Sequence, residues 1–155
     1  MVNAGDVIRA SDITVQACRV TRSSALSIPD GGAVTTVGFD AEVFDTDGMH
    51  STVTNNSRIT IQTAGFYTVG FNGTLATDAA YVRSFCEVVL NGSTSLGRSQ
   101  TPGVSSQQTL SISTVYQFDV GDYVELQVFQ DSTAAHNLEV TADRSPEFWA
   151  ARIGS

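Results

Sequence analysis

The sequence predicts an all-β fold in which two antiparallel sheets pack face to face. Apolar and polar residues alternate with a period of two along most of the chain, and turn-forming residues separate these segments every eight to twelve residues or so. No segment carries the 3.6-residue apolar periodicity of an amphipathic helix. The 155 residues are enough for one domain with a single core.

The alternation is clearest in five segments. They are residues 58–62, 67–75, 81–90, 110–118 and 124–128. Turn signals such as Asn91-Gly92 and Gly121-Asp122 lie between them. Short strands joined by tight turns are typical of a sandwich or a barrel, and the spacing leaves no room for the crossover helices of a parallel sheet.

Some predicted strands have apolar residues on both faces. The residues on the second face are Phe66, Phe85, Val89, Tyr123 and Phe129. A monomeric sandwich needs only one apolar face on each strand. We therefore interpret the second face as a surface that another subunit covers.

The charge of the chain excludes several function classes. Eight basic residues, all arginine, stand against sixteen acidic ones, which gives a net charge of −8. Without a cluster of basic residues the chain has no positively charged surface that would bind a phosphate backbone, so no nucleic-acid partner is expected. No apolar run is long enough to cross a bilayer, and residues 1–17 lack the hydrophobic centre of a signal peptide, so we expect synthesis in the cytosol and no membrane insertion.

The residue types needed for catalysis are scarce. His50 and His136 lie in polar, turn-like segments without metal-ligand spacing, and no serine stands in a G-x-S-x-G turn. Cys18 and Cys86 are interpreted as small buried residues, with a disulfide as the alternative if the mature protein lies outside a cell. The chain is therefore predicted not to be an enzyme and to need no cofactor.

One segment resembles the start of a calcium loop. Asp45 and Asp47 stand in Asp45-Thr46-Asp47-Gly48, but Asn56 occupies the position where a bidentate glutamate would complete the site. These two aspartates are the candidates for a metal site, and an acidic turn is the interpretation we favour.

The first part of the chain differs from the rest. Residues 1–24 are interpreted as a docking arm or an added edge strand, and residues 25–155 as the sandwich domain. The arm is favoured because the later strands already complete a two-sheet core. Its apolar residues are Val2, Val7, Ile8 and Ile13.

From Ser27 onwards the chain resembles the trimeric jelly-roll superfamily of tumour necrosis factor and the globular head of the first complement component. The motifs follow in the family's order: Val37-Gly38-Phe39-Asp40, then 58–71 with its Gly65-Phe66-Tyr67 turn, Val88-Val89-Leu90-Asn91-Gly92, and 115–126 with its Gly121-Asp122 turn. The resemblance implies a homotrimeric, two-sheet antiparallel jelly-roll sandwich. It also implies core or intersubunit aromatics, for which the candidates are Phe66, Tyr67, Phe71, Tyr123, Phe148 and Trp149.

A narrower resemblance concerns origin. The opening residues 4–13 are similar to the start of phage tail and fibre proteins, and 44–50 resembles small proteins of actinobacterial phages. This implies a structural virion protein, assembled in the host bacterial cytoplasm. Its arm would attach a trimer to other virion proteins of the tail or baseplate, with capsid decoration as the alternative.

The loops expected to contact a glycan or protein of the host surface are 45–56, 93–107 and 130–137. Their candidate contact residues are Met49, His50, Tyr81 and His136. Two rival functions stay open at this point: a cellular cytokine-like or lectin-like binding module, and a polysaccharide hydrolase, which would need a pair of carboxylates in a groove.

Overall fold

A computed structural model describes residues 15–78, 80–140 and 146–155. Within them the regular structure is entirely β, as predicted. The twelve strands are β1 (Ala17–Thr21), β2 (Leu26–Ile28), β3 (Thr35–Thr36), β4 (Ala41–Asp45), β5 (Arg58–Thr60), β6 (Gly65–Asp78), β7 (Arg83–Leu90), β8 (Thr94–Pro102), β9 (Ser106–Phe118), β10 (Tyr123–Asp131), β11 (His136–Leu138) and β12 (Glu147–Gly154). No helix in the described part of the chain has the length and apolar character needed to cross a membrane.

The strands form two antiparallel sheets. The seven-stranded sheet has the order β2-β11-β6-β12-β1-β4, and β9 pairs with the free side of β6. The five-stranded sheet has the order β3-β10-β7-β8, and β5 also pairs with β10. Neighbours in space are mostly distant in sequence, which is the topology of a jelly roll and confirms the predicted fold class.

The core lies between the sheets and is built from the inward residues of the alternating strands. Tyr67, Phe71 and Phe148 are completely buried there. The rings of Phe148 and Phe39 stack at 5.6 Å, and the ring of Tyr67 meets Phe118 edge-on at 5.9 Å. Three of the six predicted aromatics are therefore core residues of a single chain.

The start of the domain needs correction. Strand β1 lies between β12 and β4, so residues 17–21 form an interior strand of the larger sheet and belong to the sandwich. The two residues before it are also attached: the hydroxyl of Thr46 donates to the carbonyl of Val15 at 2.6 Å, and the N–H of Arg152 donates to the carbonyl of Gln16 at 2.9 Å. The proposed arm residues Val2, Val7, Ile8 and Ile13 lie outside the described residues.

The segment 93–107 was expected to be a loop, and that expectation is wrong. Residues 94–102 form β8, which pairs along its length with β7 at the edge of the five-stranded sheet. Apart from Leu96, which packs against the core, and Pro102, its residues are polar or glycine, so it lacks the alternation by which the other strands are recognised.

Both cysteines are free and completely buried. Burial raises the pKa of each thiol from 9.0 to about 12, and the nearby Asp45 and Glu42 add to the effect at Cys18. The interpretation as small buried residues therefore fits the structure, in which no disulfide joins them.

The thiols lead to a prediction about pH. Because the folded state holds both thiols neutral, their contribution to stability is complete below about pH 9 and is lost as the pH rises from 9.0 towards 12. We expect neither cysteine to react with an aromatic disulfide reagent at about pH 8 in the native protein, and both to react after unfolding in urea. Rapid reaction of the native protein would contradict the burial.

Candidate functional site

The outward face of the seven-stranded sheet carries several small residues. Along β6 this face consists of Phe66, Thr68, Gly70 and Asn72, opposite the outward residues of β9 and β12. The indole of Trp149 lies directly over Gly70, where an added Cβ would come within 2.2 Å of Trp149 Cζ2. A side chain at position 70 would displace the indole, so glycine is required for Trp149 to lie against β6.

Exposed apolar residues border this face. Phe66 is 40% exposed and Val115 is 58% exposed, and Phe44 on β4 is 44% exposed. A groove of about 300 Å³, lined by Ala17, Phe44, Trp149 and Ala151 among others, runs across β4, β1 and β12. An ion pair between Arg19 and Glu147 contributes to its wall. The outward face of this sheet is therefore partly apolar and exposed to water.

The outward face of the five-stranded sheet is different, because arginines cover its aromatic rings. Phe85 on β7 and Phe129 on β10 stack at 4.9 Å and are only 5% and 6% exposed. The guanidinium of Arg98 lies 4.1 Å from the centre of the Phe85 ring, and that of Arg83 lies 5.2 Å from the centre of the Phe129 ring. Such cation–π packing shields the rings while the charged groups keep contact with water.

Each of these arginines also pairs with an acidic residue. Arg98 Nη2 lies 2.6 Å from Glu87 Oε2, and Arg83 Nε lies 3.7 Å from Asp131 Oδ2. The same arrangement recurs where Arg58 lies 4.0 Å above the Tyr123 ring, with its Nε 3.3 Å from Glu125 Oε1.

The interpretation of the second apolar face therefore needs correction. Phe85, Val89 and Phe129 are at most 6% exposed within one chain, and Tyr123 lies under Arg58. They need no second subunit to remove them from water. Of the predicted aromatics, Phe66 and Trp149 lie on the outward face of the seven-stranded sheet, and among the described residues this is the sheet whose outward apolar side chains stay exposed.

The loop between β4 and β5 is held by many bonds from side chains to its backbone. Asp45 accepts hydrogen bonds from the backbone N–H groups of Asp47 and His50, and Ser51 Oγ accepts from Thr54 N. Asn55 adopts a positive φ of 51° and its carbonyl accepts from Arg58 N at 3.0 Å. These contacts fix the loop before any ligand arrives.

The aspartates of the predicted calcium loop take part in this network. Both carboxylate oxygens of Asp45 accept backbone N–H bonds, and Asp47 Oδ2 accepts from the hydroxyl of Thr63 at 3.0 Å. Among the described residues, no group of three or more metal-binding side chains comes together. The structure thus uses Asp45 and Asp47 as turn-stabilising residues.

The side chain of His50 in the same loop is buried and connects the loop to β4. Its Nδ1 lies 2.9 Å from Glu42 Oε1 and its Nε2 lies 3.2 Å from the carbonyl oxygen of Asn56. Both contacts are to oxygen atoms, one on β4 and one near the end of the loop, so the ring connects the two. Met49 is only 1% exposed. The sequence predicted Met49 and His50 as receptor contacts. Because both side chains are buried, neither is placed to make a first contact with a receptor.

A polar cavity of about 210 Å³ opens beside this loop. Its lining includes Ser51, Thr54, Asn55, Arg58, Thr60 and Gln62, and Met49 and His50 form part of its wall. Among the described residues, no aspartate or glutamate contributes to the lining. The hydrolase hypothesis would need two carboxylates in one groove, and the described residues place no such pair in the lining of this cavity or of the groove on the larger sheet.

Tyr81 and His136 lie at the opposite end of β6 from this cavity. Their rings are 5.1 Å apart, the hydroxyl of Tyr81 donates to the carbonyl of Ala76, and His136 Nε2 lies 2.5 Å from Asp78 Oδ2. Burial raises the pKa of Tyr81 to about 12, with Asp78 and Glu139 adding to the effect. Tyr81 is 6% exposed. These residues stabilise the end of the sandwich and do not form an open contact surface.

Comparison with solved structures agrees with this architecture. The fold is similar to mouse APRIL at pH 5.0, with a TM-score of 0.67, 13% identity and coverage of 90% of this chain and 99% of that one. It is also similar to the globular domain of zebrafish complement 1qA protein, with a TM-score of 0.64, 16% identity and coverage of 89% of this chain and 96% of that one. The sequence matches no protein-family model and no curated protein. The chain therefore has the jelly-roll fold that the tumour necrosis factor and complement structures share.

Proposed function

We propose that the protein is a homotrimeric binding module that assembles through the outward face of the seven-stranded sheet. The observation that carries the proposal is the contrast between the two sheets. The five-stranded sheet covers its outward aromatics with Arg58, Arg83 and Arg98. The seven-stranded sheet leaves Phe44, Phe66 and Val115 exposed. The fold shared with APRIL and the complement head supports the same arrangement.

Light scattering tests the oligomeric state directly. At micromolar concentration the mass should be about three times the 16.4 kDa of one chain. A monomer at these concentrations would refute the proposal. A trimer would carry three times the net charge of −8, so we expect its binding partner to present a surface that is not strongly acidic.

The finer proposal places this trimer on the surface of a phage virion, attached to the tail or baseplate through the residues before the sandwich. It is supported by the similarity of residues 4–13 to phage tail and fibre proteins and by the exclusive use of arginine as the basic residue, which fits a GC-rich genome. Capsid decoration remains the alternative location. A cytokine-like or lectin-like module of a cell is the alternative function.

Truncation tests the attachment. Because Val15 and Gln16 bond to the sandwich, the variant should remove residues 2–14 and leave β1 intact. We expect this variant to keep the mass of the full-length protein and to be missing from purified particles. Incorporation at the level of the full-length protein would contradict the proposed arm. Antibody labelling of intact particles in micrographs would then distinguish the tail from the capsid.

A further inference from the structure

The polar cavity beside the β4–β5 loop differs in charge from the rest of the molecule. The chain has sixteen acidic residues, yet the cavity lining contains a guanidinium, hydroxyls and amides, and no carboxylate among the described residues. The net charge of −8 disfavours a ligand with many negative groups, but this lining gives one negative group a cationic partner.

Arg58 is already held in position. Its guanidinium stacks on Tyr123, and its Nε–H donates to Glu125, which also accepts from the hydroxyl of Ser57. Among the described residues, the side-chain bonding of Arg58 uses this one N–H, so the terminal N–H groups remain available. Two parallel N–H groups match the geometry of a carboxylate.

The size and the other polar groups narrow the ligand class further. A cavity volume of about 210 Å³ is smaller than that of most drug-sized pockets, which favours a small ligand. Ser51, Thr54, Asn55 and Gln62 supply hydroxyl and amide groups that suit a molecule with several hydroxyls. Because the loop is bonded to itself and to β4, little ordering is needed when a ligand enters.

We propose that this cavity binds a hydroxylated carboxylate of monosaccharide size, such as a single uronic acid unit in an otherwise uncharged polysaccharide. The carboxylate pairs with the terminal N–H groups of Arg58, and the sugar hydroxyls bond to the loop side chains. All lining residues lie within positions 48–62 of one chain. Binding therefore does not require the proposed trimer.

Two matched sugars test the ligand class on the full-length protein. Methyl glucuronoside and methyl glucoside differ only in a carboxylate against a hydroxymethyl group. In an NMR titration we expect the glucuronoside to shift amide signals within residues 48–62 and to bind at least about tenfold more tightly than the glucoside. Equal affinities, or shifts confined to other parts of the chain, would overturn the proposal. If acetate binds as tightly as the glucuronoside, the sugar component of the proposal is wrong.

Variants with matched controls identify the binding groups. Arg58→Gln should lower the affinity for the glucuronoside to that for the glucoside. Arg83→Gln is the matched control, because Arg83 also lies over an aromatic ring and pairs with an acidic residue. It should leave the affinity for the glucuronoside unchanged. Gln62→Glu places a carboxylate in the lining at an exposed position and should weaken binding to a similar degree without disturbing Arg58. Its control is Gln100→Glu, which adds the same charge at an exposed position of β8 on the five-stranded sheet.

The results separate this proposal from the trimer. If Arg58→Gln fails to fold, Gln62→Glu still decides the question, and unchanged affinity in Gln62→Glu would overturn the assignment of the cavity. A monomeric protein that binds the glucuronoside would refute the trimer alone. A trimer that binds neither sugar would refute the cavity assignment alone.

Discussion

Replacing Val115 by arginine is expected to dissociate the proposed trimer into folded monomers. Val115 lies on the outward face of β9, opposite Thr68 of β6, and is 58% exposed in the single chain. In the monomer the new guanidinium stays in water and costs little. In the trimer each of three arginines would lose its hydration without an acidic partner, at a cost of several kcal/mol per charge.

The measured mass should therefore fall from about three chains to one 16.4 kDa chain. Val120→Arg is the matched control, because Val120 is 65% exposed but lies in the turn before Gly121, away from the sheet. It should leave the mass unchanged. If Val115→Arg remains trimeric, the subunits contact each other through a different surface.

Phe71→Ala should lower the free energy of unfolding by about 3–5 kcal/mol, the range for a buried aromatic residue. Phe71 is completely buried in the middle of β6, where it pairs in register with Phe148 of β12 and Ile112 of β9. Its ring also packs over its own strand, since a Cβ added at Gly73 would lie 2.6 Å from Phe71 Cζ. Truncation therefore leaves a cavity that neighbouring groups cannot readily fill.

Urea unfolding measures the free energy of unfolding of each variant. Each variant is combined with Val115→Arg, so that dissociation of a trimer does not contribute to the measured value. Phe66→Ala is the control, since Phe66 is the same residue type on the same strand but faces outward and is 40% exposed. We expect its cost to be less than about half that of Phe71→Ala. Equal losses for the two variants would show that the assignment of inward and outward faces on β6 is wrong.

The sequence predicted the fold class well because alternation and turns are local signals. It placed Tyr67, Phe71 and Phe148 among the core candidates for the same reason. Strand β1 was missed because its five residues offer only Cys18 and Val20 to the core, which is too short a pattern to recognise. Strand β8 was missed because an edge strand made almost entirely of polar residues and glycine shows no alternation.

The candidate sites were harder to predict because they depend on contacts between distant segments. The ring of Phe85 is covered by Arg98 through the pairing of β7 with β8, and this register cannot be read from either strand alone. His50 looked like an exposed loop residue. Its burial depends on Glu42 of the preceding strand and on the carbonyl of Asn56, which the loop brings to the ring.

The attachment of Val15 and Gln16 determines the end of the sandwich at which the chain enters the domain. Val15 bonds to Thr46 at the start of the β4–β5 loop, so the chain enters the sandwich at the same end as the polar cavity. Tyr81 and His136 close the other end, where β6 finishes at Asp78. A trimer anchored by residues before 15 would hold the cavity on its proximal side, facing the structure that carries it. Its distal tip, farthest from the anchor, would be the end closed by Tyr81 and His136.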